Sequence, residues 1–177
     1  TDYGAMRGLH GNFTGGCAPL SPSGNVGTLG SSNNSIPIMD KNGQFITGKL
    51  RIADVIDGTS QSIMVAEDAG RQQVWAKGQM VMPNAPGQVG WTLNAAWADY
   101  NTYVRIRGFD NTGTVQDGGC CVVNCNNVNQ IYGFHSGGAN ALRADASVHY
   151  MSEAVSPSLL AALVSRNGRE PIVNDDQ

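Results

Sequence analysis

Residues 131–150 read IYGFHSGGANALRADASVHY, and this stretch constrains the fold more than any other. His135 is followed by the pair Gly137-Gly138, which loosens the backbone into a loop. A short strand then runs through Leu142. Asp145-Ala146-Ser147 makes a tight turn, with Asp145 where an aspartate caps a turn by accepting from backbone two residues on. A second strand follows from Val148 to Met151.

The rest of the chain agrees with a fold built largely of strands. Residues 36–39 and 44–47 are apolar runs around Asn42-Gly43, the signature of a hairpin. Residues 62–67 carry Ile63, Met64, Val65 and Ala66 in succession, as a strand covered on both faces does. Residues 102–107 alternate, with Val104 and Ile106 on one side and Tyr103, Arg105 and Arg107 on the other. Residues 52–56 read as one helical turn ended by Gly58. Ser156 with Pro157 starts a helix whose apolar face is Leu159, Leu160, Leu163 and Val164, and Gly168 marks its end. Residues 75–100 resist assignment because Pro83, Pro86 and Gly87 interrupt them. Their tryptophans, Trp75, Trp91 and Trp97, require burial or a partner surface, either a subunit contact or a glycan. Residues 110–119 are a loop and the tail from Val173 is frayed. The expectation is an α+β fold, mainly β, with an antiparallel sheet and short helices. Residues 1–35, rich in Gly, Ser and Asn, form an extended arm, and residues 36–177 form one β-rich domain.

Charged residues are 14% of the chain, against roughly 25% in an average soluble domain. Lys41, Lys49 and Lys77 are its lysines, so amides, hydroxyls and backbone keep the surface wet. That balance suits an extracellular β-rich bacterial protein. A net charge of −3 without a basic run argues against nucleic acid as partner. No stretch is long and apolar enough for a membrane-spanning helix, and no signal peptide is visible.

Four blocks carry a family resemblance. His135, nine residues, then Asp145-Ala146-Ser147-Val148 resembles the C-terminal signature of a planctomycetal family with a prepilin-type leader, catalogued as a domain of unknown function. Residues 57–71, DGTSQSIMVAEDAGR, resemble its "DGTSNTI..AEDAGR" block. Residues 121–127, CVVNCNN, resemble its "C..NC.N" block, and residues 160–170 its closing helix and "TR.GGE" segment. Asp2-Tyr3-Gly4 is a weak match to an opening "DYAGN.G". The likeness is good over residues 48–177 and poor over the first 47. Ala146 stands where the family has Gly, Gln61-Ser62 where it has Asn-Thr, and Arg169 where it has Gly. With Ala146, the turn either avoids positive φ or accepts it with strain. The family's leader and long apolar helix are not in the sequence, so the chain reads as a processed or partial one. The resemblance implies a pilin-like globular head whose sheet would lack its usual helix.

Cys17, Cys120, Cys121 and Cys125 allow three disulfide pairings. An exported address favours disulfides over free thiols or zinc. The preferred pairing is Cys17–Cys120 with Cys121–Cys125, because adjacent Cys120 and Cys121 cannot easily share one partner region. His135 and Asp145 invite an acid–base reading. The stronger reading is a structural network of His135, Asp145, Glu67 and Asp57, with His135 buried and hydrogen-bonded beside Phe134. Glu67, ending an apolar strand, needs a partner, and Arg71 or His135 could supply it. Asp57, Glu67 and Asp145 are also weak calcium candidates; no other cofactor or metal is expected. Asn12 and Asn33 open glycosylation sequons in the arm. The resemblance implies a non-enzymatic, self-associating subunit of an extracellular pilus-like or fibrillar assembly, its partners copies of itself, and the low charge, polar surface and extended arm are consistent with it. The alternative is a monomeric secreted or cell-surface module that binds glycans.

Overall fold

A computed structural model describes residues 2–9, 17, 38–39, 45–46, 51–71, 73–82, 102–117, 119–166 and 168. Five strands make its main sheet. They are β1 (Tyr3–Leu9), β4 (Ile63–Glu67), β7 (Tyr103–Ile106), β8 (Gly138–Arg143) and β9 (Val148–Ser152), in the order β7-β1-β4-β8-β9. Two small hairpins stand apart: β2 (Ile38–Met39) with β3 (Phe45–Ile46), and β5 (Val74–Ala76) with β6 (Gln79–Met82). Among the described residues one α-helix, α1 (Pro157–Val164), packs on β1 and β4. The fold is α+β and mainly β, as expected.

The register explains the core. Met6 lies opposite Val104, Ala66 opposite Ala141, and Ala139 opposite Met151. Side chains alternate across a strand, so these residues share one face. They are buried together with Leu160, Leu163 and Val164 of α1 and with Val122, Val123 and Ile131 of the preceding loop. Strand β4 lies inside the sheet, between β1 and β8, with Ile63, Ala66 and Glu67 buried and Met64 and Val65 partly so.

Several expectations need correction. The arm is not free at its start, because Tyr3–Leu9 is an inner strand with Met6 and Leu9 buried. Its glycines hid this. Gly4 is needed for close approach, since a Cβ there would meet Val104 Cγ2 at 3.0 Å. The rest of the arm, with Asn12, Asn33 and the Asn42-Gly43 turn, lies outside the described residues apart from Cys17. The sheet is mixed, with β1 and β7 parallel and the other pairs antiparallel. Within residues 75–100, β5 and β6 form a hairpin round Lys77-Gly78, with φ of 49° and 79°. Two positive φ values suit the natural twist of a two-residue hairpin. Trp91 and Trp97 lie outside the described residues.

The helical turn before Gly58 is a shorter 3-10 turn, Ile52–Asp54. Helix α1 begins as expected, with the Ser156 hydroxyl accepting from Leu159 N–H and Pro157 in the first turn. It ends earlier than expected, because Ser165 is extended and Gly168 donates its N–H to Asp57 instead of closing the helix. Ala146 does take positive φ, at 70°. The turn after Asp145 therefore takes the left-handed backbone without a glycine.

Candidate functional site

Glu67 ends β4 with 6% of its surface exposed. Its carboxylate receives three polar contacts. His135 Nε2 lies 3.2 Å from Oε1, while Asn140 donates its backbone N–H and its Nδ2 to Oε2 at 2.9 and 3.2 Å. Asn140 Nδ2 also lies 3.3 Å from His135 Nε2. Of the two partners foreseen for Glu67, the structure supplies His135. Arg71 instead pairs with buried Asp68 and donates to Tyr103 O and Asn129 Oδ1. Burial pushes the Asp68 carboxyl well up, against the pull of Arg71. His135 itself is not buried, since its side chain is 53% exposed. Phe134 beside it is exposed as well.

The loop beneath His135 is held by asparagines. Asn124 accepts from Gly133 N–H and donates to the carbonyls of His135 and Gly138. Asn126 accepts from Val128 N–H and donates to Gly113 O. Asn127, fully buried, accepts from Trp75 N–H and donates to Ala69 O and Gln73 O. An amide side chain offers one acceptor and two donors, so it can replace a missing ladder. Cys121–Cys125 closes the same loop and Cys17–Cys120 ties it to the N-terminal region; among the described residues no cysteine is free.

Above this loop lies a cleft of about 450 Å³, lined by Lys77, Tyr132, Phe134, His135 and Glu153 among others. The Lys77-Gly78 turn forms one wall. Lys77 N–H donates to Cys125 O and Gly78 N–H to the Tyr132 hydroxyl, which fixes the turn against the loop. Burial raises the Tyr132 phenol above its ordinary range, and the Gly78 N–H opposes it. Glu153 N–H donates to Gly137 O, which closes the other side. Phe134 packs edge-on against Trp75 and Tyr132, with centroids 4.9 and 5.7 Å away.

The other foreseen residues lie elsewhere, so the single network divides into three. Asp145 is exposed at the β8–β9 turn, where it accepts from the Ser147 N–H and hydroxyl. Those bonds hold its carboxyl below the ordinary range. It shares no hydrogen bond with His135. Asp57 accepts from the Ser165 hydroxyl and Gly168 N–H, locking the segment after α1. The three calcium candidates are thus held in separate places. Among the described residues no three His, Cys, Asp or Glu side chains gather as a metal site.

Ser147 Oγ also lies 2.9 Å from His149 Nε2. Asp145 sits on the serine side of that pair and does not orient the imidazole, so the geometry differs from a Ser-His-Asp triad.

The profile of a family described as proteins of unknown function, DUF1559, matches residues 3–158. The chain belongs to the DUF1559 family. No curated protein and no solved structure matches it. The DUF1559 match takes in β1 and the early residues where the motif likeness is poor. It stops short of the block at 160–170. Within the DUF1559 chain, three of the resembling blocks converge. Glu67 and Asp68 come from the first, Asn124 and Asn127 from the second, and His135 from the third. Sequence reasoning missed the roles of Asn124, Asn127, Lys77, Tyr132, Phe134 and Glu153. The closely spaced asparagines of residues 124–127 were the one available signal.

Proposed function

We propose that this chain is a structural, non-enzymatic subunit of an extracellular or cell-surface assembly, pilus-like or fibrillar, built from copies of itself without a cofactor. The observation that carries this reading is the asymmetry of the sheet edges. At β7 the edge is covered, with Arg105 N–H bonded to Asn129 O and Tyr103 O bonded to Arg71. At β9 no further strand pairs among the described residues, and Val148 and Tyr150 are 66% and 52% exposed. Both point to the face opposite the core, since they lie across from Leu142 and Asn140.

An open edge with apolar side chains is a template for a strand from another chain. When the donated segment is not β9 itself, the contact is heterologous and propagates into an open fibre; β9 on β9 would close a dimer. Two disulfides and few charges support an exported address. The prepilin resemblance adds to the same reading, and the division of His135 from Asp145 speaks for structure over catalysis.

Sedimentation and electron microscopy of the full chain test it. The expected result is a pelleting fibre, lost in Val148→Lys while the melting temperature is kept. A chain that stays monomeric at high concentration, or forms only closed dimers, contradicts it.

A further inference from the structure

We propose that the cleft between the Lys77-Gly78 turn and residues 132–137 binds a neutral saccharide, with a pyranose ring stacked on Phe134. The site lies past the C-terminal end of β9, at Glu153, and its occupancy does not depend on polymerisation. Three features carry it together.

The first is the ring. Phe134 is 56% exposed, yet it is fixed edge-on by Trp75 and Tyr132. Gly70 is its socket, because a Cβ there would sit 2.8 Å from Phe134 Cζ and from Trp75 Cδ1. A fixed aromatic face costs little ordering on binding. It also suits the C–H face of a sugar, which is apolar while the ring's rim is hydroxylated.

The second is the polar rim. The Lys77 ammonium, 3.3 Å from Cys121 Sγ, is a donor, Glu153 is an acceptor, and the His135 ring can be either according to its tautomer. Hydroxyls need both kinds of partner. The charges are mixed, with Lys77 set against Glu153, and Glu67 behind His135, so neither a strong anion nor a strong cation is selected. An apolar peptide side chain would find a single exposed apolar wall, because Tyr132 is buried.

The third is size and rigidity. The volume of about 450 Å³ falls within the range of small-ligand sites, roughly 300–1,000 Å³. The walls are anchored by the Lys77, Gly78 and Glu153 backbone bonds and by Asn124.

Titration calorimetry of the full chain tests this with three soluble tetrasaccharides: β-1,4-linked glucose, β-1,4-linked N-acetylglucosamine and α-1,4-linked glucose. The expected result is binding of at least one at up to about 10 mM ligand. Phe134→Ala should weaken it about tenfold, and Phe134→Tyr should restore it. Glu153→Gln should weaken it less, and Ile52→Ala, on the exposed 3-10 turn, should leave it unchanged. Should Phe134→Ala fail to fold, Phe134→Tyr and Glu153→Gln decide. No heat with any of the three overturns the proposal, as does binding that is unaltered in both Phe134→Ala and Glu153→Gln. Self-association that Phe134→Ala abolishes, without saccharide binding, would also overturn it and assign the cleft to a second copy.

Discussion

The five-stranded sheet and the loop at residues 119–135 bury their backbones by different means. In the sheet, strand pairs satisfy N–H and C=O groups, and apolar side chains fill the space above. In the loop, Val123 and Ile131 are as buried as any strand residue, yet among the described residues isolated bridges and single backbone bonds, not a ladder, link the segments. Asparagine amides and scattered backbone–backbone bonds satisfy those groups, and two disulfides cross-link the loop. Buried backbone groups must be satisfied in either region. Beside its scattered backbone bonds the loop therefore leans on a few amide side chains, and substitution of those amides should hurt it more than most changes in the sheet.

The largest expected effect is on the long bridge. Closing a loop of about 100 residues contributes roughly 4–5 kcal/mol in the chain-entropy picture, against about 2 kcal/mol for a loop of about five. The double variant Cys17→Ala/Cys120→Ala should therefore lose more stability in urea unfolding than Cys121→Ala/Cys125→Ala. An equal loss would show that native contacts, not loop length, set the difference. Next is Asn127→Ala, which strands Trp75 N–H and two carbonyls. A loss of about 3 kcal/mol is expected, comparable with emptying a sheet position in Met6→Ala, at about 2–5 kcal/mol. If Asn127→Ala costs under half a kcal/mol, the amides do not hold the loop.

His135→Ala should cost less, about 1 kcal/mol, because the imidazole is half-exposed and Asn140 still serves Glu67. A loss above 3 kcal/mol in the same assay would mean that the histidine anchors the loop. Ala146→Gly should raise stability by about 0.5–1 kcal/mol by relieving the left-handed backbone. A fall in melting temperature would mean that Ala146 is not strained.

The smallest effect is one of pH. Asp110 accepts from the backbone of Thr112, Thr114 and Val115 and from the Thr112 hydroxyl, which lowers its pKa to about 2. The depressed value means that its contribution is full above the ordinary carboxylate range and is lost as pH falls through about 2. Acid melting curves of Asp110→Asn should be flatter than wild type over that window, and parallel curves would count against it.

The contrast also marks what the sequence reveals. Strands β4, β7, β8 and β9 and helix α1 leave periodic or punctuated traces, and each was legible. Strand β1 was not, since Gly4 and Gly8 remove the alternation that would show it. At the site, the oddity of Glu67 was legible and His135 was a foreseen partner. The cleft was not. Lys77, Phe134 and Glu153 meet only because a hairpin turn, a loop and the segment just after β9 are folded together, and no local pattern encodes that. The His135–Asp145 spacing suggested proximity, but β8 carries the aspartate away to a turn.

The central claim, proposed above, is that β9, which has no further strand partner among the described residues, is where copies of this chain join. Amide hydrogen exchange, followed strand by strand from dilute to concentrated protein, reads this directly. The account predicts that β9 becomes protected as the chain assembles while β7, already covered by Asn129 and Arg71, exchanges at an unchanged rate. Assembly that leaves β9 unprotected, or that protects β7 instead, would contradict it.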